Sequence, residues 1–419
     1  MNVVSRESRS MSSARSNAPI DQRMEHIAMR GRDSRRPQPL IDALVPDAHL
    51  NAAVAGIRGL GIGGLRVMAL GPTWTSPGLW SRHTAARAVG PSVISAPAKL
   101  ERRIEQLASD HGPLVVYPSR EETIDLMLSA EGWGGVVLPF PGGEVLQLVR
   151  DKSQLERTAA NAGLKTPLSL FEGTAAVLAG TAEGADFEWP VVVKPAQPVS
   201  ALKTARLAHD PAELRRLIAH VPHDERLLVQ ERVRGPLVSI ELVIDREGRL
   251  VARFQQVTKR TWPTAAGSIA LATSVAPDEG LVARTAAMLA ELGYWGLAQV
   301  DFVETANGFT LLDVNPRFYR CLPLAVACGT NLPALWHAVA VGRPVGTPGT
   351  YRTGMTYRWL EADFVAAARG APARLFERAP APSTGAAWDA GDPLPGFLLS
   401  ISAVVSRVLR MLRVRRRTR

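Results

Sequence analysis

The sequence predicts an α/β protein, with a parallel sheet toward the N-terminus and antiparallel strands after it. Three observations carry that expectation. Strand-like and helix-like segments alternate between residues 39 and 145. Three strand-like runs succeed one another between 227 and 258, and the segment 297–314 has the form of a hairpin. Strands that alternate with helices need crossover connections and so build parallel sheets, whereas short connections return the chain antiparallel.

The chain has 419 residues, 46% of them hydrophobic, which is enough for two or three domains with ample cores. A formal charge of +10 would suggest nucleic acid, but residues 1–40 carry +4 and residues 406–419 carry +7, which leaves −1 for everything between them. The body therefore shows no nucleic-acid bias, and the basicity belongs to the two ends. The two cysteines, Cys321 and Cys328, make no disulfide framework and have no zinc-site spacing. They read as buried thiols in a reducing, cytoplasmic setting.

Residues 1–38 are rich in Ser, Arg, Asn and Pro without apolar periodicity, and are expected to be a disordered basic tail; no signal-peptide core follows the start. A first α/β domain is expected over 39–145. Its strands are read at 40–44, 65–70, 114–119 and 135–139, its helices at 50–60, 98–109 and 121–130, and 71–82 as a loop rich in Gly, Pro and Trp. The glycines at 61–64 lie between a helix and the next strand, the wrong context for a dinucleotide fingerprint, and read as a turn. A helix opens at Asp151 or Ser153 and stops at Gly163. Strands follow at 189–196, 227–235, 239–245 and 250–258, and helices at 211–218, 281–292 and 332–342. Trp74 and Trp80 read more readily as packing anchors than as pocket walls.

The hairpin carries the most chemistry. Its strands are expected at 297–303 and 309–314, with Asn307-Gly308 as the turn. Side chains alternate faces along a strand, so Gln299 and Asp301 share a face, as do Asp313 and Asn315. Brought into register, Asp301, Asp313 and Asn315 make a small set of hard oxygen ligands suited to Mg²⁺. Arg317 follows, placed to grip a phosphate or carboxylate. By spacing alone, a surface hairpin with ordinary polar residues fits equally well.

The order of motifs decides between these. Lys152 at a helix start, VVVKP at 191–195, VQE-x-x-x-G at 229–235, Arg260 with Pro263 downstream, VDF at 300–302 and LLDVNPR at 311–317 together resemble the ATP-grasp ligases, of the carboxylate–amine ligase and carbamoyl-phosphate-synthase-like kind. The resemblance implies an ATP-grasp domain over 146–345, with its smaller lobe at about 165–235, preceded by the family's pre-ATP-grasp α/β domain. It implies that Lys152 and Lys194 bind the ATP phosphates, that Gln230, Glu231 and Val233 read the adenine edge, and that Leu312 packs on the base. Asp301, Asp313 and Asn315 would hold one or two Mg²⁺, or Mn²⁺. Arg260 and Arg317 would stabilise the transferring phosphoryl group. The implied activity joins a small-molecule carboxylate to an amine through an acyl phosphate. The sequence departs from the family's pattern at three places. Asp313 stands where Glu is common, Leu237 where a ribose-binding acid is expected, and the segment 195–207 lacks the usual glycines. A non-catalytic nucleotide-binding module or a membrane-associated scaffold is the alternative reading.

Residues 346–392, rich in Pro, Gly and Ala, read as a loose appendage anchored by Trp359 and Trp388. Residues 393–419 read as an amphipathic helix. Leu398, Ile401, Val405, Val408 and Leu412 recur at helical spacing opposite Arg410, Arg413 and Arg417, and the apolar run is too short to span a bilayer. Peripheral contact with an anionic inner membrane surface and docking on the protein's own body or on a dimer mate remain open.

Overall fold

The computed structural model describes residues 40–402, apart from 130, 131, 182–185, 197–199, 203, 264–266, 348 and 378. The expected N-terminal tail and most of the expected C-terminal amphipathic helix, 403–419, lie outside the described residues; 393–402 is helical.

Five parallel strands form the first sheet: β1 (Ala43–Val45), β2 (Val67–Gly71), β3 (Thr84–Val89), β4 (Leu114–Val116) and β5 (Val136–Val137), in the order β3-β2-β1-β4-β5. Helices Asn51–Ile62, Pro97–His111 and Glu121–Leu128 make the crossovers. The central strands β1, β2 and β4 are buried along their whole length, which explains their unbroken apolar sequences. Strand β3 falls just beyond the stretch expected to be a loop. Its sequence TAARAV lacks the β-branched run that marks the other strands, as suits an edge.

A four-stranded antiparallel sheet follows, built from β6 (Ser169–Thr174), β7 (Val191–Pro195), β8 (Arg206–Ala208) and β9 (Arg226–Glu231) in the order β6-β9-β7-β8. It has its own small core, in which Val191, Val193, Leu227 and Val229 meet Leu178, Leu214 and Ile218. The third sheet has seven strands: β10 (Leu237–Ile244), β11 (Leu250–Trp262), β12 (Ser268–Ser274), β13 (Gly296–Thr305), β14 (Gly308–Asn315), β15 (Thr356–Arg358) and β16 (Ser383–Gly385). Their order is β14-β13-β10-β11-β12-β15-β16. Gly235 leads from β9 toward β10, and a Cβ there would lie 1.8 Å from the Glu304 carbonyl oxygen, so only glycine fits.

Two expectations need correction. The segment 346–392 is not loose: β15 pairs antiparallel with β12, and β16 pairs parallel with β15. Its end is pinned by Asp392, which is 3% exposed and accepts from Arg58 Nε at 2.8 Å, Ser81 Oγ at 2.6 Å and the Arg82 backbone N–H at 2.9 Å. A Pro/Gly-rich composition reports turns, not detachment. In the hairpin, Thr305 pairs with Gly308, so the two turn residues are Ala306 and Asn307, one earlier than expected; only Gly308 takes a positive φ, +99°.

The first and third sheets share one core, knotted by aromatic rings. Phe318, just after β14, stacks on Tyr117 at 5.4 Å, and Trp336 meets both edge-on. Trp336 Nε1 donates to the Pro139 carbonyl at 2.5 Å, and the Phe318 N–H to the Pro118 carbonyl at 3.0 Å. Gly56 allows this approach, since a Cβ there would lie 2.2 Å from the Phe318 ring. The knot fixes the backbone immediately after Arg317.

Burial works against the Asp392 carboxylate, but Ser81, Arg58 and the Arg82 N–H together hold its pKa below the ordinary 3.8. Its contribution to stability is therefore complete above pH 3.8 and is lost as the pH falls below it. Asp392→Ala leaves the buried Arg58 only the backbone carbonyl at 392 in place of a carboxylate and is expected to cost about 3 kcal/mol at neutral pH. Urea unfolding should show this loss, and the gap from wild type should narrow in acid.

Candidate functional site

The two antiparallel sheets and the helix Glu121–Leu128 converge on a cavity of about 570 Å³. Its floor is the hairpin. Asp301 on β13 pairs directly with Asp313 on β14, and Gln299 with Asn315, so the polar residues share a face as the alternation requires. Asp301 is held by Ser239 on β10, whose Oγ donates at 2.6 Å across the Ser239–Asp301 register pair. Burial pushes the Asp301 carboxyl up to about 6, Asp313 adds to the rise, and Ser239 and Arg317 oppose it. Two carboxylates face each other at the edge of a low-dielectric interior, a position that calls for positive charge.

Cations approach from separate elements. Lys152, first residue of the helix Lys152–Asn161, sets its Nζ 3.2 Å from Asp313 Oδ1. The Asp151 side chain accepts the Gln154 backbone N–H at 3.4 Å, so of the two candidate caps Asp151 does the capping. Lys194 on β7 is 7% exposed and donates to the Leu312 carbonyl at 3.3 Å. Burial lowers its pKa from 10.5 to about 8, with Asp313 pulling it up and Lys152 pushing it down. Arg317 donates from Nε to Glu121 at 2.5 Å, from Nη2 to Asn315 Oδ1 at 2.8 Å and from Nη1 to the Phe318 carbonyl at 3.3 Å.

Of the residues singled out from the sequence, Lys152, Lys194, Gln230, Glu231, Val233, Asp301, Leu312, Asp313, Asn315 and Arg317 all line this cavity. Gln230 is 4% exposed, its amide nitrogen turned toward the Pro167 carbonyl at 3.5 Å and Ser169 at 3.4 Å. Glu231 accepts the Leu168 backbone N–H at 3.0 Å. Leu237 also lines the wall. Glu241, the next acid along β10, accepts from Gln256 at 2.8 Å within the sheet and does not line the cavity.

Arg260 is not brought to this site. Its guanidinium pairs with Asp363 and Glu377, beyond β12, and Asp363 is shared with Arg358. A cation held by two carboxylates is spoken for, and the phosphoryl-stabilising role expected of it finds no support here. Asn315 is present but reversed: its oxygen faces Arg317 and its nitrogen lies 3.4 Å from Asp301 Oδ2. Holding a cation would require the amide to turn over.

Two charged lining residues that bear on Arg317, and one residue behind the floor, escaped the sequence reading. Glu121, at the start of helix Glu121–Leu128, bridges Arg317 and Arg150; Arg150, 5% exposed, also pairs with Asp125 at 2.7 Å. These two, with Ser239, carry no motif. Only Ser239 had a signal, its position on the polar face of a strand. Among the described residues no group of three or more His, Cys, Asp or Glu side chains gathers as a metal shell. The Asp301–Asp313 pair nevertheless suits Mg²⁺, which takes one or two carboxylates and keeps its other positions for water and phosphate.

A sequence model for a family described as ATP-grasp in the biosynthetic pathway with Ter operon matches residues 223–363. The fold is similar to the biotin carboxylase domain dimer of Hydrogenobacter thermophilus 2-oxoglutarate carboxylase, solved with MgADP, ADP and bicarbonate. The TM-score is 0.57 at 16% identity, over 76% of this chain and 74% of that one. It is also similar to Campylobacter jejuni biotin carboxylase in its β,γ-ATP complex, with a TM-score of 0.58 at 15% identity, over 75% of this chain and 74% of that one.

Below its midpoint Lys194 is cationic and above it neutral. In a ¹³C-lysine NMR titration of the free protein, the resonance lost in Lys194→Ala is expected to titrate near pH 8; a midpoint at the ordinary 10.5 would contradict the desolvation seen here.

Proposed function

We propose that the chain is an ATP- and Mg²⁺-dependent ligase of the ATP-grasp kind, which activates a substrate carboxylate as an acyl phosphate for attack by an amine. The observation that carries this reading is the Asp301–Asp313 pair on the cavity floor, with Lys152, Lys194 and Arg317 around it. Lys152 and Lys194 would take the phosphate chain, and Gln230, Glu231, Val233 and Leu312 would enclose the base. Asp301 and Asp313 would hold Mg²⁺, which when bound neutralises phosphate charge.

In this reading a carboxylate oxygen of the substrate attacks the γ-phosphorus, the bond to the β-phosphate oxygen breaks, and ADP leaves. The amine nitrogen then attacks the acyl carbon, the carbon–oxygen bond to phosphate breaks, and phosphate departs as the nitrogen loses a proton. Arg317 is the residue placed to hold negative charge at the acyl phosphate. Its donors to Glu121, Asn315 and the Phe318 carbonyl fix its plane, so it need not reorganise during transfer. Glu121 and Arg150 act through Arg317 as positioning residues.

Calorimetry with Mg·ATP tests the reading. Wild type is expected to bind, and Asp313→Ala and Lys194→Ala each to weaken binding about tenfold or more, the cost of one charge contact to phosphate. Absence of wild-type binding at millimolar ATP would favour the alternative, a degenerate ATP-grasp module without turnover.

A second reading concerns the C-terminus. On the helix 393–402, Leu394, Phe397 and Ile401 are 53%, 53% and 57% exposed along one stripe, and the seven arginines of 406–419 follow in sequence. An apolar stripe joined to a basic segment fits the surface of an anionic membrane. No helix among the described residues is long and apolar enough to cross one. Flotation with phosphatidylserine liposomes should lose the protein when the chain is ended at Asp392; equal flotation of both forms rejects membrane contact through this segment.

A further inference from the structure

The floor of the cavity continues past the carboxylate pair. Ser239 pairs with Asp301 and Leu237 with Val303, so these four share a face of the sheet, one step of alternation apart. That step is two residues of strand, about 7 Å. Leu237 and Val303 both line the cavity. A ligand whose phosphates meet Asp301 and Asp313 carries its next group over this apolar floor, and in a nucleotide that group is the sugar.

Upstream of Leu237 the chain passes Gly235 and reaches Arg234 and Arg232, which line the same cavity. Arg234 is exposed and Arg232 half-buried, and neither guanidinium makes a hydrogen bond or ion pair with any described residue. The other cations of the cavity are engaged. Lys152 pairs with Asp313, Lys194 donates to the Leu312 carbonyl, and Arg150 and Arg317 share Glu121. The acids of β9 and β10 are turned to other partners: Glu231 accepts the Leu168 N–H, and Glu241 accepts from Gln256. The sugar end of the cavity thus presents two uncommitted arginines beside a leucine. That donor set suits phosphate better than a free sugar hydroxyl. A hydroxyl proton needs an acceptor, whereas a guanidinium has five donors and no acceptor. Phosphate oxygens accept, and they match the guanidinium fork two at a time. Dinucleotide sites divide in the same way, with an acid for the ribose hydroxyl and an arginine for a ribose phosphate.

We propose that Arg232 and Arg234 form a second anion site at the sugar end of the cavity, and that its ligand class is an adenine nucleotide phosphorylated on the ribose as well as at the 5′ position. The two arginines receive the ribose phosphate, while Leu237 leaves an unmodified 2′-hydroxyl without an acceptor. They determine which nucleotide is held and take no part in phosphoryl transfer. The proposal rests on the nucleotide reading of the cavity and not on the ligation chemistry.

The test is calorimetry on the full chain with Mg²⁺, comparing ADP with 2′-deoxy-ADP and with ADP carrying a further 2′- or 3′-phosphate. At least one phosphorylated form is expected to bind about tenfold or more tightly than ADP, and 2′-deoxy-ADP to bind within about threefold of it. In the double variant Arg232→Gln/Arg234→Gln the advantage of the phosphorylated form should shrink to about twofold or less. ADP binding without any such advantage overturns the proposal and leaves the nucleotide reading standing, a comparison that needs no variant. An advantage kept in the double variant also overturns it, because the gain then belongs to the overall charge of the cavity. So does a tenfold loss with 2′-deoxy-ADP, which would show the hydroxyl to be held. Failure of ADP and all three analogues to bind at millimolar concentration sinks the nucleotide reading itself, and this proposal with it.

Discussion

Two carboxylates on adjacent strands of a sheet, one of them half-buried, are an electrostatic problem that the rest of the chain is arranged to answer. Asp301 and Asp313 are paired in direct register, and desolvation pushes the Asp301 carboxyl up to about 6. Like charges in a low dielectric are tolerated only if cations or hydrogen-bond donors are brought to them. Ser239 comes from the neighbouring strand, Lys152 from a helix start, Lys194 from the small sheet and Arg317 from the end of the hairpin's own strand. None of these alone neutralises the pair; the positive charge it requires is gathered from separate elements.

The geometry of that answer depends on parts of the chain far from the carboxylates. Arg317 is held on one side by Glu121 of the first sheet's last long crossover helix, and Glu121 is held in turn by Arg150. The backbone behind Arg317 is fixed by Phe318 in its knot with Tyr117 and Trp336. The parallel α/β portion is thus a wall of the site and not merely a neighbour of it. Strands β15 and β16 extend the third sheet, and Asp392 ties the end of that excursion to Arg58 and Ser81. The same excursion brings the Trp359 ring against the Arg320 guanidinium.

Much of this was legible in the sequence where the relevant contacts are local or repeat with a short period. The alternation in GLAQVDFVET and GFTLLDVN places Asp301 and Asp313 on one face, and a tight turn places them opposite each other. The turn centre was read one residue late, because Asn307-Gly308 is a strong signal for either of two loop registers and only the cross-strand pairing of Thr305 with Gly308 selects one. Arginine before a Pro-containing loop fits the motif series, so the resemblance implies phosphoryl chemistry for Arg260. Its partner Asp363 lies 103 residues away and announces nothing in sequence. The segment 346–392 was misjudged because short strands in Pro- and Gly-rich surroundings have too few residues to show a period.

By itself the sequence determined the class of elements, the order of the motifs and the chemistry available at each. Those follow from side-chain alternation, capping and residue type, which act over a few residues. The tertiary structure decided which cations are free to serve the carboxylate pair and which are already engaged. Lys194 is left facing the site and Arg260 is consumed by Asp363 and Glu377. It also decided that Glu121 and Arg150 belong to the cavity. The physical reason is that an ion pair is a property of two positions in space, and buried charge is satisfied by whichever partner the packing of three sheets brings within reach.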